Sequence, residues 1–494
     1  MPKFVFLWTD IFIFCLVLAI VLYTVRAARS ASLRAAWSSV LRTPSAMCAA
    51  LVLAGFLSVG VLDSIHYRPV LPAAPGAAEA KTMYSPVLHS ALDDLFSATR
   101  LVNPEKTYSA PLAIRQFSKE THLVDGQPVR DFLRLRFAGV NLSDDAQRPG
   151  DILQRLLAGV GAGVGIMALG GWLLTWLGRR RGDSWGQAFS AWWRGQTTIP
   201  WRPIWVTFSL LALIVCVSIA LATNYHVLGT DRTGRDVLWQ AMKSVRTAWI
   251  IGTLTTMAML PPALIFGISA GYFKGRIDDV IQYIYTTLTS IPGVLLIAAC
   301  VLMMQVYIDN NPELFDTVAA RADLRLFLLC LILGLTGWAG LCRLLRAETL
   351  KLRELDYIQA ARAFGVGHWR IMRRHLLPNL MHIVLITMVL QFSGLVLYEA
   401  VLSYLGIGVD PSTPSFGSMI DAARVEMSRD PMVWWNLFAA FVFMLALVLS
   451  ANIFADAVQD AFDPRARKFR PRRALPPGVK TDPAKAGQAG ALHD

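Results

Sequence analysis

The chain has 494 residues, of which 55% are hydrophobic and only 16% are charged. About a quarter of the residues in a soluble domain are charged, so this composition excludes a soluble globular protein and indicates a polytopic membrane protein. The formal net charge of +13 favours anionic lipid headgroups over nucleic acid as partners. The basic residues concentrate in short loops and the tail, and no nucleic-acid motif is present.

Nine stretches approach the roughly 20 apolar residues that cross a bilayer. They cover residues 4–25, 45–65, 153–177, 204–224, 247–272, 280–306, 324–344, 380–407 and 433–455. We therefore predict an all-α fold, a polytopic bundle of membrane helices. Arg26 and Arg29 follow the first stretch where a signal peptide would have a cleavage site, so we predict a retained helix.

Clustered basic residues predict the orientation. They lie in the loop after span one, in the loop after span three and in the C-terminal tail: Arg26, Arg29, Arg34, Arg42, Arg179, Arg180, Arg181, Arg194, Arg202, Arg465, Arg467, Lys468, Arg470, Arg472 and Arg473. The positive-inside rule places all three segments in the cytoplasm. Nine crossings then leave the N-terminus outside and the C-terminus in the cytoplasm.

Residues 66–152 form the one long segment between spans, predicted to lie on the extracytoplasmic side of the membrane, and we call it the insertion. It begins like a linker, with Pro72, Pro75 and Gly76. Further on, SALDDLFSATRL predicts a helix capped by Ser90, and PVRDFLRLRFAGV predicts a strand or a short helix. Docking of a receptor and a passive insertion are equally compatible with this sequence.

Residues 357–379 read YIQAARAFGVGHWRIMRRHLLPN, a polar and basic stretch between two apolar spans. We predict two short amphipathic helices, residues 357–364 and 368–377, joined by a turn at Gly365 and Gly367. Pro378 is expected to stop the second helix before the next span. The alternative interpretation, based on charge patterning alone, is an ordinary solvated basic loop.

This stretch resembles the coupling loop of ABC importer transmembrane subunits, which reads E-A-A, three residues, G, nine residues, I-x-L-P. The matching positions are Gln359, Ala360, Ala361, Gly365, Leu377 and Pro378. Gln359 replaces the acid of the pattern, and His375 replaces the isoleucine. The resemblance implies that a separate ATP-binding subunit docks at residues 353–378, the coupling segment, and that its closure is transmitted to the membrane helices.

Residues 228–252, LGTDRTGRDVLWQAMKSVRTAWIIG, are similar to the L-G-T-D-x-x-G-R-D-V-x segment of the dipeptide, oligopeptide and nickel permease branch. We call residues 228–236 the elbow. Its candidate residues are Gly229, Thr230, Asp231, Gly234, Arg235 and Asp236. Asp236 can cap a helix that begins at Val237. The elbow is either an interfacial turn or a direct contact for substrate or binding protein, made by Asp231 or Arg235.

Residues 399–420, EAVLSYLGIGVDPSTPSFGSMI, are similar to another segment of the same branch, and we call them the gate segment. Glu399 falls inside an apolar span, where an ionisable group is costly, so it is either a buried anchor or part of a gate. The remaining candidates break the helix and are expected to form the outer mouth of the pathway: Ser403, Gly406, Gly408, Pro411 and Pro414. Residues 452–467 resemble the closing segment of the branch.

The resemblance covers about half of the chain and predicts its organisation. We expect two N-terminal membrane helices in residues 1–65, the insertion in 66–152, a third helix and a basic cytoplasmic loop in 153–203, a six-helix permease core in 204–463 and a basic cytoplasmic tail in 464–494. The first 200 residues depart from the usual pattern of the branch, and their role stays open.

Catalytic motifs are missing from the sequence. No GxxxxGK[ST] phosphate loop, triad spacing or Cys/His cluster occurs, so we predict no catalytic residue, no metal and no cofactor in this chain. The resemblance implies that ATP and Mg²⁺ bind partner ATP-binding cassette subunits. It also implies a second homologous permease subunit and an extracytoplasmic substrate-binding protein.

We therefore predict the permease subunit of an ATP-driven importer in the bacterial inner membrane, carrying oligopeptides or similar small solutes by alternating access. One alternative is the same machine carrying nickel or another small solute. Another is an ion-coupled secondary transporter, which predicts charged residues within the membrane, whereas in the sequence Glu399 stands nearly alone. A membrane-anchored sensor would leave the coupling pattern unexplained.

Overall fold

The computed structural model describes residues 3–70, 84–124, 127–178, 184–195, 197–315 and 317–462. Helices before the elbow are α1 (Trp8–Arg29), α2 (Ala31–Arg42), α3 (Pro44–Asp63), α4 (Ala91–Leu95), α5 (Arg148–Gly178), α6 (Trp185–Trp193) and α7 (Trp201–Ala222). Those after it are α8 (Val237–Phe273), α9 (Arg276–Ser290), α10 (Gly293–Asn310), α11 (Val318–Gly337), α12 (Ala339–Arg353), α13 (Asp356–Ala363), α14 (His368–Ile371), α15 (Leu377–Tyr404), α16 (Phe416–Glu426) and α17 (Trp435–Phe462). The predicted tail 464–494 and Arg179, Arg180 and Arg181 lie outside the described residues.

Within the described ranges, eight helices are each long and apolar enough to cross a membrane, and α11 with α12 forms a bent pair of 40° that adds a ninth crossing. Each of the nine predicted spans corresponds to one of these crossings, and the all-α fold is confirmed. The long apolar helices form because backbone groups in lipid must be satisfied within the segment itself.

Two small sheets belong to the segments outside the helices. Strands β1 (Lys3–Val5), β2 (His66–Arg68) and β3 (His89–Ser90) form one antiparallel sheet, and β4 (Glu120–Val124) pairs with β5 (Gln127–Asp131) as a hairpin. Since β1 precedes α1 and β2 follows α3, α1 and α3 run in opposite directions. The N-terminus therefore lies at the same end of the bundle as the insertion.

The insertion contains the elements that its sequence predicts, although they are shorter. Helix α4 has five residues, and Ser90 caps it by accepting a hydrogen bond from the backbone N–H of Asp93. In the second predicted element, only β5 forms a regular strand. The chain then turns until α5, which begins at Arg148, a few residues earlier than predicted.

Three further predictions need correction. The sixth predicted span is two helices, because Pro292 lies in the break between α9 and α10. Pro378 does not stop a helix, because it lies in the first turn of α15, where its missing N–H is tolerated. The basic loop after span one contains a helix, α2.

Helix α8 runs from the elbow to the coupling segment and forms the centre of the bundle, packed against α3, α11, α12 and α15. We call its two ends the insertion end and the coupling end. Small residues allow this close packing: a Cβ on Gly271 would lie 2.6 Å from Thr349 Cβ of α12. Helix α8 therefore connects the two ends directly, with Pro261 and Pro262 inside the helix between them.

Candidate functional site

The coupling segment folds as two short helices around a tight turn. At the end of α13, Gly365 has φ +74°, the left-handed conformation that glycine adopts most readily. The N–H of Gly365 donates to Arg362 O at 3.0 Å, and the N–H of Val366 donates to Ala361 O at 3.0 Å. These two bonds form a Schellman motif. The sequence predicts a turn at both glycines, but only Gly365 has a positive φ.

The second predicted helix of the segment is not a separate unit. It consists of α14 and a π-helical turn, Met372–Leu376, which continues directly into α15. The N–H of Leu377 donates to Met372 O across this wider turn. Single π turns inside helices are often found at functional sites. The coupling segment is therefore continuous with a membrane-crossing helix.

Buried apolar side chains fix the segment to the bundle. Ile358, Ile371 and Leu376 are fully buried in a cluster with residues of α8 and α12. Polar contacts add to this attachment, because Tyr272 Oη of α8 lies 2.9 Å from His368 Nδ1, and Arg353 donates to the backbone carbonyl of Tyr272 at 2.7 Å. Displacement of the segment would therefore act directly on the end of α8.

The opposite face of the segment exposes large aromatic side chains. Phe364 is 87% exposed and Trp369 is 69% exposed, and they flank the Gly365 turn. The family pattern predicted Ala360 and Gly365 as coupling residues but did not include Phe364 or Trp369. Their signal in the sequence is an aromatic residue on each side of two glycines in an otherwise polar stretch.

The six predicted coupling residues have different environments. Gln359, Ala360, Gly365 and Pro378 are exposed, whereas Ala361 and Leu377 are half-buried. Gln359, at the position of the family's acid, donates to Glu354 O at 3.2 Å. His375 packs its ring against Tyr357, with centroids 6.1 Å apart. Neither substitution disrupts the helix pair.

The elbow lies beneath the insertion. The N–H of Ser109 donates to Thr230 Oγ1 at 2.6 Å, and the N–H of Thr230 donates back to Ser109 O at 3.1 Å. The N–H of Glu105 donates to Gly234 O at 2.8 Å. Gly234 has φ +76°, and a Cβ there would overlap the carbonyl of Glu105. The elbow and the insertion are thus in direct contact through their backbones.

This arrangement separates the elbow residues into two groups. Gly229, Thr230, Gly234 and Asp236 are buried, so a direct contact of these four with a soluble partner is excluded in this structure. Asp236 caps α8 as predicted, accepting a hydrogen bond from the N–H of Trp239 at 3.0 Å. Asp231 and Arg235 keep some exposure. Asp231 also organises the turn, because its carboxylate accepts hydrogen bonds from the N–H groups of Thr233 and Arg235.

A buried histidine that no sequence motif indicated joins the elbow to the insertion. His226 Nδ1 lies 2.7 Å from Asp236 Oδ2, and its Nε2 lies 3.6 Å from Glu105 Oε1. Burial alone would lower the pKa of His226, but the two carboxylates outweigh burial and raise that pKa to about 9. The imidazole is therefore protonated at neutral pH and links two acids from different parts of the chain.

Stability at the insertion end is expected to fall at alkaline pH. The pKa of His226 rises from 6.5 to about 9 on folding, so its contribution is complete below pH 6.5 and is lost as the pH rises through 9. That shift corresponds to roughly 3 kcal/mol. Protease protection of the insertion, measured across this pH range, should decrease in the wild type and stay flat in His226→Gln. His89→Gln is the control, and an unchanged slope in His226→Gln would refute the assignment.

The gate segment is fastened by Glu399. Its Oε1 accepts hydrogen bonds from Ser403 Oγ at 2.6 Å and from Ser415 Oγ at 3.0 Å, and its side chain also accepts one from the Gly417 N–H. Ser415 is the N-cap of α16. Glu399 thus ties the end of α15 to the start of α16, which is the geometry of a buried anchor.

The gate segment breaks the helix where its sequence predicts. Helix α15 ends at Tyr404, and Gly406 has φ +76°. A Cβ on Gly408 would overlap Ser403 Oγ. Pro411 lines a cavity, and the carbonyl of Pro414 accepts a hydrogen bond from Thr247 Oγ1 of α8 at 2.7 Å. The broken segment is therefore packed on protein at the insertion end.

The elbow and the gate segment line one cavity of about 380 Å³, which we call the vestibule. The predicted residues that reach it are Asp231, Arg235, Ser403, Gly406, Gly408 and Pro411. Its charged lining also includes Arg232, Arg325, Asp421, Arg424 and Glu426. Two motifs more than 150 residues apart in the sequence therefore form a single polar site that carries both signs of charge.

Glu399 is not nearly alone as a charged residue in the spans, so the prediction that it stands nearly alone is wrong. Arg246 of α8 is buried with Asp10 of α1 and Asp323 of α11. Its Nη2 lies 2.5 Å from Asp10 Oδ1 and 3.7 Å from Asp323 Oδ1. Thr9 donates its hydroxyl to Asp323. Because these charges are paired with one another, they form a structural network between the first helix and the core.

Comparison with known proteins agrees with this architecture. The sequence model of the binding-protein-dependent transport system inner membrane component matches residues 263–468. The dipeptide transport system permease protein of Bacillus subtilis (strain 168) is 30% identical over 49% of this chain and 70% of the relative. The di/tripeptide transport system permease protein of Pseudomonas aeruginosa (strain UCBPP-PA14) is 32% identical over 49% of this chain and 73% of the relative.

The oligopeptide transport system permease protein of Haemophilus influenzae (strain ATCC 51907 / DSM 11121 / KW20 / Rd) is 28% identical over 49% of this chain and 72% of the relative. Each relative aligns with about half of this chain, and the N-terminal helices and the insertion lie outside the residues that the family model matches. The chain belongs to the family of inner membrane components of binding-protein-dependent transport systems, as an ABC importer permease, a transport subunit rather than a catalytic enzyme.

Proposed function

We propose that this permease carries oligopeptides or similar small solutes across the bacterial inner membrane by alternating access. The names of its relatives support peptides over nickel. Residues 204–463 would be the permease core. ATP and Mg²⁺ would bind to separate ATP-binding cassette subunits, and a second homologous permease and an extracytoplasmic binding protein would complete the complex.

The observation that carries this proposal is the two-sided coupling segment. Ile358 and Ile371 attach one face to the bundle, and Phe364 and Trp369 project from the other. Exposed aromatic residues in a convex turn fit a groove on a partner, where such residues typically provide most of the binding energy. Closure of the ATP-binding subunits would move this turn, and the π turn and α8 would carry the movement to the vestibule.

The proposed orientation places the coupling end in the cytoplasm and the insertion end outside. Arg26, Arg29, Arg34 and Arg42 flank or lie within α2, at the same end as the coupling segment, which supports this choice. The vestibule would then open toward the binding protein. Its mixed charges suit a zwitterionic peptide.

Reconstitution tests the proposal. The chain would be assembled in proteoliposomes with its candidate ATP-binding, permease and binding-protein partners, and ATP hydrolysis and uptake would be measured with peptide, with nickel and without ligand. Peptide should stimulate both hydrolysis and uptake. Verified assembly without stimulation by any peptide would refute peptide import, and stimulation by nickel alone would identify the other cargo.

Two substitutions of Glu399 distinguish an anchor from a charged gate. Glu399→Gln keeps an oxygen that accepts the two serine hydroxyls, so an anchor predicts uptake within about twofold of the wild type. Glu399→Ala leaves buried donors unsatisfied, at a cost of about 2 kcal/mol, and should reduce uptake at least tenfold. If Glu399→Gln impairs uptake as severely as Glu399→Ala, the charge itself is required and the anchor role is wrong.

A further inference from the structure

A second concave site lies at the coupling end, between α2, α6 and the start of α7, all of which precede residues 263–468 that the family model matches. It is a cavity of about 580 Å³, lined by Arg42 at the end of α2, Arg194 just after α6 and Arg202 in the first turn of α7. Trp193, Thr197 and Thr198 also line it. Three elements that are distant in the sequence therefore present their cationic side chains to one space.

Within the described residues, these three guanidiniums have no acidic partner. No Asp or Glu lines the cavity, and no ion pair joins Arg42, Arg194 or Arg202 to a carboxylate in the part of the chain that the structure describes. Other arginines of this chain are paired, as Arg346 is with Asp278 at 2.5 Å. A group of unpaired guanidiniums favours an anion with several oxygen acceptors, because such bonds are charge-assisted and bidentate.

Aromatic side chains surround the cationic site. The guanidinium of Arg202 lies 5.2 Å from the ring centroid of Trp193, and Trp193 packs against Trp192 and Trp205. Trp172 stacks on Trp185 with centroids 6.3 Å apart, and both are about half exposed. Tryptophans of this kind lie at the level of the lipid headgroups. We therefore infer that the cavity lies at the membrane interface.

The surface next to the cavity is apolar. Leu169 and Leu173 of α5 and Val206 and Leu210 of α7 are exposed on membrane-crossing helices. Acyl chains can lie along these helices while a headgroup occupies the cavity. This geometry favours a lipid over a soluble phosphate, because only the acyl chains of a lipid would contact the apolar surface.

We propose that this cavity binds the phosphate of an anionic phospholipid. Arg42, Arg194 and Arg202 would donate to the phosphate oxygens, and Thr198 would add a hydroxyl. Thr197 is already engaged, because its hydroxyl donates to Ile199 O at 2.7 Å. The bound lipid would add a link between α2 and the pair α6 and α7, beside the packing of α3 on α7. The site does not depend on the cargo of the transporter.

The experiment uses the full chain, purified and delipidated, with phosphatidylglycerol as the probe. Native mass spectrometry would measure retained lipid, and thermal unfolding would measure stabilisation by phosphatidylglycerol, phosphatidylcholine and inorganic phosphate. Wild type should bind phosphatidylglycerol selectively. The variant Arg194→Gln/Arg202→Gln should bind it at least tenfold more weakly, as expected for the loss of two charge-assisted bonds.

Two controls make the result decisive. Arg276→Gln removes an exposed arginine at the start of α9, at the same end of the bundle, and should leave retention unchanged. The unfolding temperature of the double variant without lipid shows whether it folds, and Arg42→Gln gives a second independent test if it does not. Equal retention by variant and wild type, or equal stabilisation by phosphatidylcholine, would overturn the proposal. Equal stabilisation by inorganic phosphate would instead reveal a soluble anion and equally refute a lipid site.

Discussion

Replacing Phe364 with aspartate is expected to abolish most ligand-stimulated ATP hydrolysis and uptake while the permease still folds. Phe364 is 87% exposed, so its removal costs the isolated chain little. At the proposed interface, loss of an aromatic anchor costs about 2 kcal/mol or more, which is roughly thirty-fold in affinity for the ATP-binding subunit. Pull-down of that subunit and uptake in proteoliposomes would measure both effects.

Matched variants at the same turn serve as controls. Phe364→Leu keeps an apolar side chain and should retain most binding, whereas Trp369→Asp should behave like Phe364→Asp because Trp369 projects from the same face. The unfolding temperature of each variant alone should match the wild type. Normal binding and uptake by Phe364→Asp would show that this face is not the docking surface.

Replacing Arg246 with methionine is expected to destabilise the chain by about 3–5 kcal/mol, the usual cost of removing one partner of a buried ion pair. Asp323 would remain buried without a cation, and Asp10 would keep only His66, whose Nδ1 lies 2.8 Å from Asp10 Oδ2. Arg246 also donates to Ser64 Oγ at 3.2 Å and to Thr9 Oγ1 at 2.7 Å, so α1, α3 and α8 would all lose contacts. The measurement is the unfolding temperature of the purified chain in detergent.

A double-mutant cycle separates this network from a general effect of substitution. Adding Asp323→Asn to Arg246→Met removes the carboxylate that has lost its basic partner and should recover part of the lost stability, which additive effects would not do. Arg235→Met, an exposed arginine just before α8, should change stability by less than about 0.5 kcal/mol. If Arg246→Met is as stable as the wild type, the buried network does not hold α1 to the core.

Local signals in the sequence were sufficient for several features. Apolar length alone predicted nine crossings, because lipid forces helices to satisfy their own backbone groups. Gly365 predicted a tight turn because of its conformational freedom, and Ser90 and Asp236 predicted helix starts because their side chains cap free N–H groups. Each of these signals is local, because it concerns residues that are close together in the sequence.

The helix breaks were predicted less accurately. Pro378 and Pro292 are both prolines near helix ends. Helix α15 contains Pro378, whereas the helix breaks at Pro292, between α9 and α10. Whether proline interrupts a helix depends on where the missing N–H falls relative to the first turn. The π turn before α15 sets that position, and nothing in the apolar pattern indicates it.

By itself, the sequence determined the membrane class, the order of the helices, the coupling turn and the family resemblance, because these depend on composition and on spacing over short distances. Only the tertiary structure decided that the insertion covers the elbow, that the elbow and the gate segment share one vestibule, and that Arg246 pairs with Asp10 and Asp323. Such contacts join residues that are far apart in the sequence, as Ser109 and Thr230 or Asp10 and Arg246 are. They depend on how the helices pack, and no local pattern encodes that packing.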